Sequence, residues 1–204
     1  MPELEDLPIG GSRSFHLAVL SIDVRDFTLL TLRLDGAKIP LLARIQALYL
    51  SEMSAIIRDN SGVTEKYTGD GVMGLFGTES DTTSEADVRN AMNTALTAKY
   101  VITKVLNPYL AEKGLEAITC GMGIDHGTVL VERVGLKGDN QFSLAGPTAS
   151  LAAKMQGCAK DNEIFVGKDA YDRAPGAFKE FCKPIQVDWK YSYPVYWFNA
   201  SWKE

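Results

Sequence analysis

Two short strand-like runs, VTEKYT and the apolar VMGLFG, meet through Gly69-Asp70-Gly71, and few chain paths allow this. The glycines supply the backbone angles of a tight hairpin, which leaves the carboxylate of Asp70 at its tip. Upstream, FHLAVLSIDV at residues 15–24 is short, apolar and rich in strand formers, so it reads as a buried strand with Asp23 near its C-terminal end. Between strand and hairpin, Leu42, Ile45, Tyr49, Met53 and Ile56 recur at intervals of three and four, which predicts a helix from Pro40 to about Asn60. Ser61-Gly62 ends it.

A second helix is expected over 84–105 through Val88, Ala91, Met92, Ala95, Ile102 and Val105, stopped by Asn107-Pro108. The segments AITCGMGIDHG and VLVERVG read as another hairpin with His126 in its turn, and LKGDNQFS as a polar mobile loop. A third helix should run from about Thr148 to Ala159. EIFVG, a short helix near Lys168 to Ala174, and the strand-like PIQVDWK and YPVYWFN complete the chain. The order strand, helix, hairpin, helix, strand is that of an α+β fold with a ferredoxin-like split βαβ core, a mainly antiparallel sheet with helices covering one face. Residues 1–14 read as an N-terminal extension and 15–204 as one domain.

Charge and cysteine usage narrow the function classes. A net charge of −5 argues against a broad nucleic-acid surface, which needs clustered Lys and Arg. Cys120, Cys158 and Cys182 form no CxxC pair and read as reduced thiols. The acidic start MPELEDLPIGGSRS lacks the pattern of a signal peptide, and no apolar run approaches the roughly 20 residues of a membrane span. A soluble cytoplasmic protein is expected.

In the split βαβ plan the first strand lies beside the hairpin, so Asp23 and Asp70 can converge. Paired carboxylates at adjacent strand ends suit hard divalent cations such as Mg2+ or Mn2+, which complete their shells with phosphate oxygens and water. Val24 would add its backbone carbonyl. RDFTLLT would turn into a helix with free amides toward a phosphate, setting Phe27 and Thr28 beside it. Alone, Asp23 is better explained as a helix N-cap or turn acid and Asp70 as a hairpin turn residue than as metal ligands; the combination is what points to a metal. His16 and His126 read as structural.

VLSIDVRDFT, EKYTGDGVMGLFG, GMGIDHGTVLVERVG and LAGPTASLAAKM, in that order, resemble the conserved blocks of class III nucleotidyl cyclase catalytic domains across about residues 15–199. The resemblance implies that Asp23, Asp70 and the Val24 carbonyl hold two divalent metal ions, and that a nucleoside triphosphate is cyclised in a homodimer whose sites lie at the interface. It makes Lys66 a base contact, with Ser143 where adenylyl cyclases carry an acidic residue. Ser150 and Lys154 stand in for the asparagine and arginine that stabilise the transition state, with Arg133 a further substitute, and Lys190 matches a lysine that holds the terminal phosphates. Lys66 donating to a 4-carbonyl and Ser143 accepting from a ring N–H favour UTP over ATP, and Tyr67, if it faces the cleft, favours a small base. The nearest resemblance is to the bacterial pyrimidine cyclases of Pycsar antiphage systems, which make cyclic UMP or cyclic CMP as signals. An ATP-specific cyclase and a catalytically weak nucleotide-binding regulatory domain are the alternatives.

Overall fold

A computed structural model describes residues 7–33, 36–78 and 84–202, so the first six residues of the expected N-terminal extension lie outside the described residues. The described chain begins with β1 (Ser12–Val24), then α1 (Phe27–Arg33), α2 (Ile39–Asp59), β2 (Val63–Tyr67), β3 (Gly71–Thr78), α3 (Ser84–Val101) and α4 (Asn107–Glu112). It continues through β4 (Cys120–Leu136), β5 (Asp139–Ala145), α5 (Pro147–Cys158), β6 (Ile164–Gly167), α6 (Lys168–Arg173), α7 (Gly176–Lys179), β7 (Cys182–Ile185) and β8 (Val195–Phe198). One sheet holds the strands in the order β2-β3-β1-β4-β6-β8-β7, with β5 added to the far end of β4. The pairing of β4 with β6 is parallel and the others are antiparallel. This is the expected split βαβ core, extended by the C-terminal strands.

Both faces of the sheet are covered, not one. Ala18, Leu20, Ile22 and Val24 of β1 join α2 and α3 in the main core, whereas Phe15, Leu17 and Val19 join Ala149 and Ala152 of α5 on the opposite face. A strand buried on both sides needs apolar residues at nearly every position, which is why FHLAVLSIDV shows no alternation. The strand also starts at Ser12, ahead of that apolar run, and is tied back by Gly10 N–H to the Arg133 carbonyl at 2.7 Å.

The glycines of GMGIDHG explain how α5 reaches its face. A Cβ on Gly123 would lie 2.1 Å from the Ala152 carbonyl oxygen, and one on Gly127 2.7 Å from Thr148 Oγ1, so the α5 backbone rests directly on β4. Gly127 therefore clears a helix and does not make a turn: β4 runs unbroken past His126, which is buried opposite Ala18. The predicted hairpin there is one long strand. Its true partner is the segment read as a loop, since LKGDNQFS pairs back through Leu136 and Asp139 across a turn at Lys137-Gly138. Near the C-terminus, PIQVDWK contributes only its first two residues to β7.

The expected helices form with their apolar stripes inward. Leu42, Ile45, Tyr49, Met53 and Ile56 are all buried, and α2 closes with Gly62 N–H bonded to the Ile57 carbonyl around Ser61 at φ 62°. The second stripe holds only to Ile102. A π-helical turn, Ile102–Leu106, adds one residue to the register, so Val105 is 57% exposed while Leu106 and Leu110 are buried. Asn107-Pro108 then begins α4 instead of ending the helix, because proline needs no intrahelical donor in a first turn. No helix among the described residues is long and apolar enough to cross a membrane.

The contact between α5 and β4 predicts a sharp contrast between two glycines. Gly123→Ala must displace backbone and should lower unfolding stability in urea by about 2–3 kcal/mol. Gly157→Ala, where the new methyl meets nothing within 4 Å, should leave it unchanged or raise it by up to about 1 kcal/mol.

Candidate functional site

Asp23 and Asp70 come together as their spacing predicts. Asp23 pairs with Gly71 on one side and Gly121 on the other, and both neighbours lack a side chain for a visible reason. A Cβ on Gly71 would lie 2.5 Å from Asp23 Oδ1, and one on Gly121 2.3 Å from an Arg25 guanidinium nitrogen. The carboxylate and the guanidinium fill the two vacant positions. Asp70 sits beside Gly69, whose φ of 77° makes the tip, and Thr68 N–H to the Gly71 carbonyl closes the turn at 2.9 Å. Gln46 of α2 fastens the tip by donating to the Gly69 carbonyl at 3.0 Å.

Burial first, and the neighbouring charge of Asp70 second, push Asp23 up to about 6 against the pull of Arg25. Asp70 is also raised, chiefly by burial. Two half-buried carboxylates that repel one another form a site that gains by taking a dication. Among the described residues no group of three or more His, Cys, Asp and Glu side chains gathers, so these two acids would hold metal with help from a backbone carbonyl and ligand oxygens. The residues fit divalent ions bound together with a phosphate. Val24 itself is buried, in register with Cys120. Phe27 packs against the main core, while Thr28 is exposed at the start of α1.

Lys66 and Tyr67 are set on opposite faces, and a bulge decides which takes which. Thr64 pairs with Gly74 and Lys66 with Met73, leaving Glu65 as the extra residue. Lys66 therefore shares the face of Met73, which belongs to the α5 side of the sheet and carries Asp23. Tyr67 pairs with Val72 on the other face, where its hydroxyl is 2.9 Å from Ser54 Oγ of α2. It does not line the side where Asp23 lies, so the small-base argument from Tyr67 fails. Ser143 lies on β5 opposite Glu132, with β3, β1 and β4 between its strand and β2.

On α5, Ser150 is exposed and donates to the Gly146 carbonyl at 3.2 Å, and Lys154 is exposed one turn later. Lys154 Nζ stands 5.4 Å and Lys190 Nζ 5.8 Å from the centre of the same Tyr191 ring. The structure thus gathers at one ring two lysines that the sequence singles out separately. Leu151, Lys154 and Cys158 form one stripe of α5 facing the β7–β8 loop, while Ala149, Ala152 and Gln156 face β1 and β4. Carboxylates and cations consequently lie on different flanks of α5. Arg133 is committed elsewhere, donating to Asn140 Oδ1 at 2.7 Å and to the Leu7 carbonyl at 3.0 Å.

With that geometry, comparison with known proteins is decisive for the family. Residues 12–199 match the adenylate and guanylate cyclase catalytic domain. The chain belongs to this class III cyclase family. Its relatives include a uridylate cyclase from Burkholderia cepacia, 29% identical over 88% of this chain and 76% of that one. Another is a cytidylate cyclase from Staphylococcus aureus, 27% identical over 76% of this chain but only 36% of the relative. The crystal structure of the adenylyl cyclase CyaB from P. aeruginosa superposes with a TM-score of 0.81 at 24% identity, covering 94% of this chain and 97% of that one. The chain is a nucleotidyl cyclase catalytic domain.

Several residues that the structure places around these groups were not found by sequence reasoning. Arg25 donates to the Gln156 carbonyl at 2.9 Å, tying the end of β1 to α5 beside Asp23. Its signal was its place next to the Asp23 block, which fixes a strand end but names no partner. Gln46 and Tyr191 carried no signal that pattern alone could read. The like-charge contribution gives a direct test: Asp70→Asn should lower the Asp23 pKa from about 6, read by carboxyl 13C NMR in metal-free protein, and a value that does not move would mean that burial alone sets it. Divalent binding should weaken as pH falls through about 6, because protons then compete for Asp23. Since its folded value lies above the ordinary 3.8, Asp23 also makes the metal-free fold less stable as pH rises from about 4 to 6.

Proposed function

We propose that this domain converts UTP to 3',5'-cyclic UMP and pyrophosphate, in a homodimer in which each site combines Asp23 and Asp70 of one copy with Lys66, Ser143, Lys154 and Lys190 of the other. The observation that carries the reading is the convergence of Asp23, at the end of β1, with Asp70 at the tip of the β2–β3 hairpin. Two divalent ions there, Mg2+ or Mn2+, would supply charge to activate the ribose 3'-hydroxyl and to neutralise the triphosphate. The hydroxyl oxygen attacks the α-phosphorus and its proton passes to solvent water, while the bond from that phosphorus to the bridging oxygen breaks and pyrophosphate departs with the bonding electrons. Lys154 and Lys190 take up charge on the departing phosphates. Their position on the far flank of α5 from their own Asp23 is what calls for a second copy.

UTP is favoured because Lys66 can donate to the uracil 4-carbonyl while the Ser143 hydroxyl accepts from the ring N–H. The likeness to a named uridylate cyclase supports the same base. ATP is the second reading, supported by Lys66 in the position of an adenine-contacting lysine. The resemblance to pyrimidine cyclases makes an antiphage signal the role proposed for the product.

Incubation with each of the four ribonucleoside triphosphates and Mn2+, with products identified by mass, should yield cyclic UMP as the main product. Asp23→Ala and Asp70→Ala should each lower turnover by at least about a hundredfold with the fold retained. Mixing inactive Asp70→Ala with inactive Lys154→Ala should restore activity, since one site of the mixed dimer is intact; no recovery despite subunit exchange would refute the shared site. Ser143→Asp should move the UTP-to-ATP ratio toward ATP by about 10- to 100-fold.

A further inference from the structure

The loop between β7 and β8 is anchored at two residues, Trp189 and Tyr193. Trp189 packs into the apolar cluster formed by Met155, Phe165 and Val195, and meets the Tyr191 ring edge-on with centroids 5.3 Å apart. The Tyr193 hydroxyl donates to Asp125 Oδ1 at 2.9 Å and accepts from the Asp169 N–H at 2.9 Å. Asp125 is only 1% exposed, so this end of the loop is fastened to the interior of the sheet. Tyr191 is held between the two anchors. Its ring carries the ammonium groups of Lys154, from α5, and Lys190, from the loop itself.

Both charges are held to one ring, and among the described residues neither has a carboxylate partner. The ring attracts each cation through its negative face, an interaction of about 0.5–1 kcal/mol at exposed sites. A flexible lysine otherwise spreads over many rotamers. The ring thus holds two oriented positive charges that a multivalent anion can engage.

We propose that Tyr191 is a positioning residue, which holds Lys154 and Lys190 as a pair for a polyphosphate group, the triphosphate of a substrate or free pyrophosphate. The inference rests on the nucleotidyl cyclase reading for its ligand, and deepens it by naming a residue that acts through the two lysines. It concerns the aromatic face, so phenylalanine should substitute and an aliphatic residue should not.

The test is pyrophosphate binding by the full chain, measured by calorimetry in chelator without divalent ions, which separates this site from metal binding and turnover. Tyr191→Phe should bind as wild type does, whereas Tyr191→Leu should weaken binding by about tenfold, the size of two exposed cation–π contacts. Lys154→Gln and Lys190→Gln should each weaken binding in wild type, and should cost less in the Tyr191→Leu background, where the pair is already dispersed. Tyr191→Leu binding pyrophosphate like wild type, or Tyr191→Phe failing as badly as Tyr191→Leu, would overturn the proposal. Should Tyr191→Leu fail to fold, the exposed Lys190→Gln and the Tyr191→Phe variants still decide it: unchanged affinity in the former, or lost affinity in the latter, refutes it. The expected pyrophosphate pattern without cyclic product from any triphosphate would leave the subsite standing and defeat the cyclase reading instead.

Discussion

The close approach of α5 to β4 governs the architecture around the site. Without side chains at Gly123 and Gly127 the helix backbone settles onto the strand, and its two sides then face different territories. One side holds Gln156 beside Asp23 and the tether from Arg25; the other presents Lys154 to the β7–β8 loop. A helix lifted by the bulk of even one methyl group would disturb both sets of contacts together. Chemistry at two separate places therefore depends on one patch of bare backbone.

The carboxylates illustrate how a fold creates binding capacity by placing groups where they are unfavourable alone. Asp23 is raised to about 6 because the sheet removes water from it and brings Asp70 near, and Arg25 offsets only part of that cost. Beneath them lies a second layer, with the Tyr49 hydroxyl 3.6 Å from Cys120 Sγ, both buried. Burial pushes the Cys120 thiol up to about 12, so this layer stays neutral and adds no charge to the site above.

Much of this was legible in the chain. The α2 stripe, the β2–β3 hairpin and the meeting of Asp23 with Asp70 follow from periodicity and turn chemistry, which are local properties. The misreadings differ in cause: one turned on a contact distant in sequence, the others on local backbone geometry that apolar periodicity does not show. Gly127 looks like a turn residue until Thr148 is known to press on it, and LKGDNQFS looks like a loop until β4 is known to extend beside it. The π turn at Ile102–Leu106 likewise leaves the composition of its stripe intact while rotating the residues beyond it. Tyr191 was invisible because an aromatic in a loop says nothing of the two lysines above it.

The bulge at Glu65 has an evolutionary consequence. In an unbroken ladder beyond the Thr64–Gly74 pair, Lys66 would fall opposite Val72 and turn toward α2, and residue 67 would fall opposite Gly71 on the side of Asp23. The surplus residue can be stored in the strand, as here, or passed along into the turn at the tip. Its placement decides whether a cation or an aromatic ring looks out beside the carboxylates, while β3 keeps its pairing with β1 in either case. A lineage could therefore revise what this face presents by changing which placement the backbone prefers, with neither residue 66 nor residue 67 mutated.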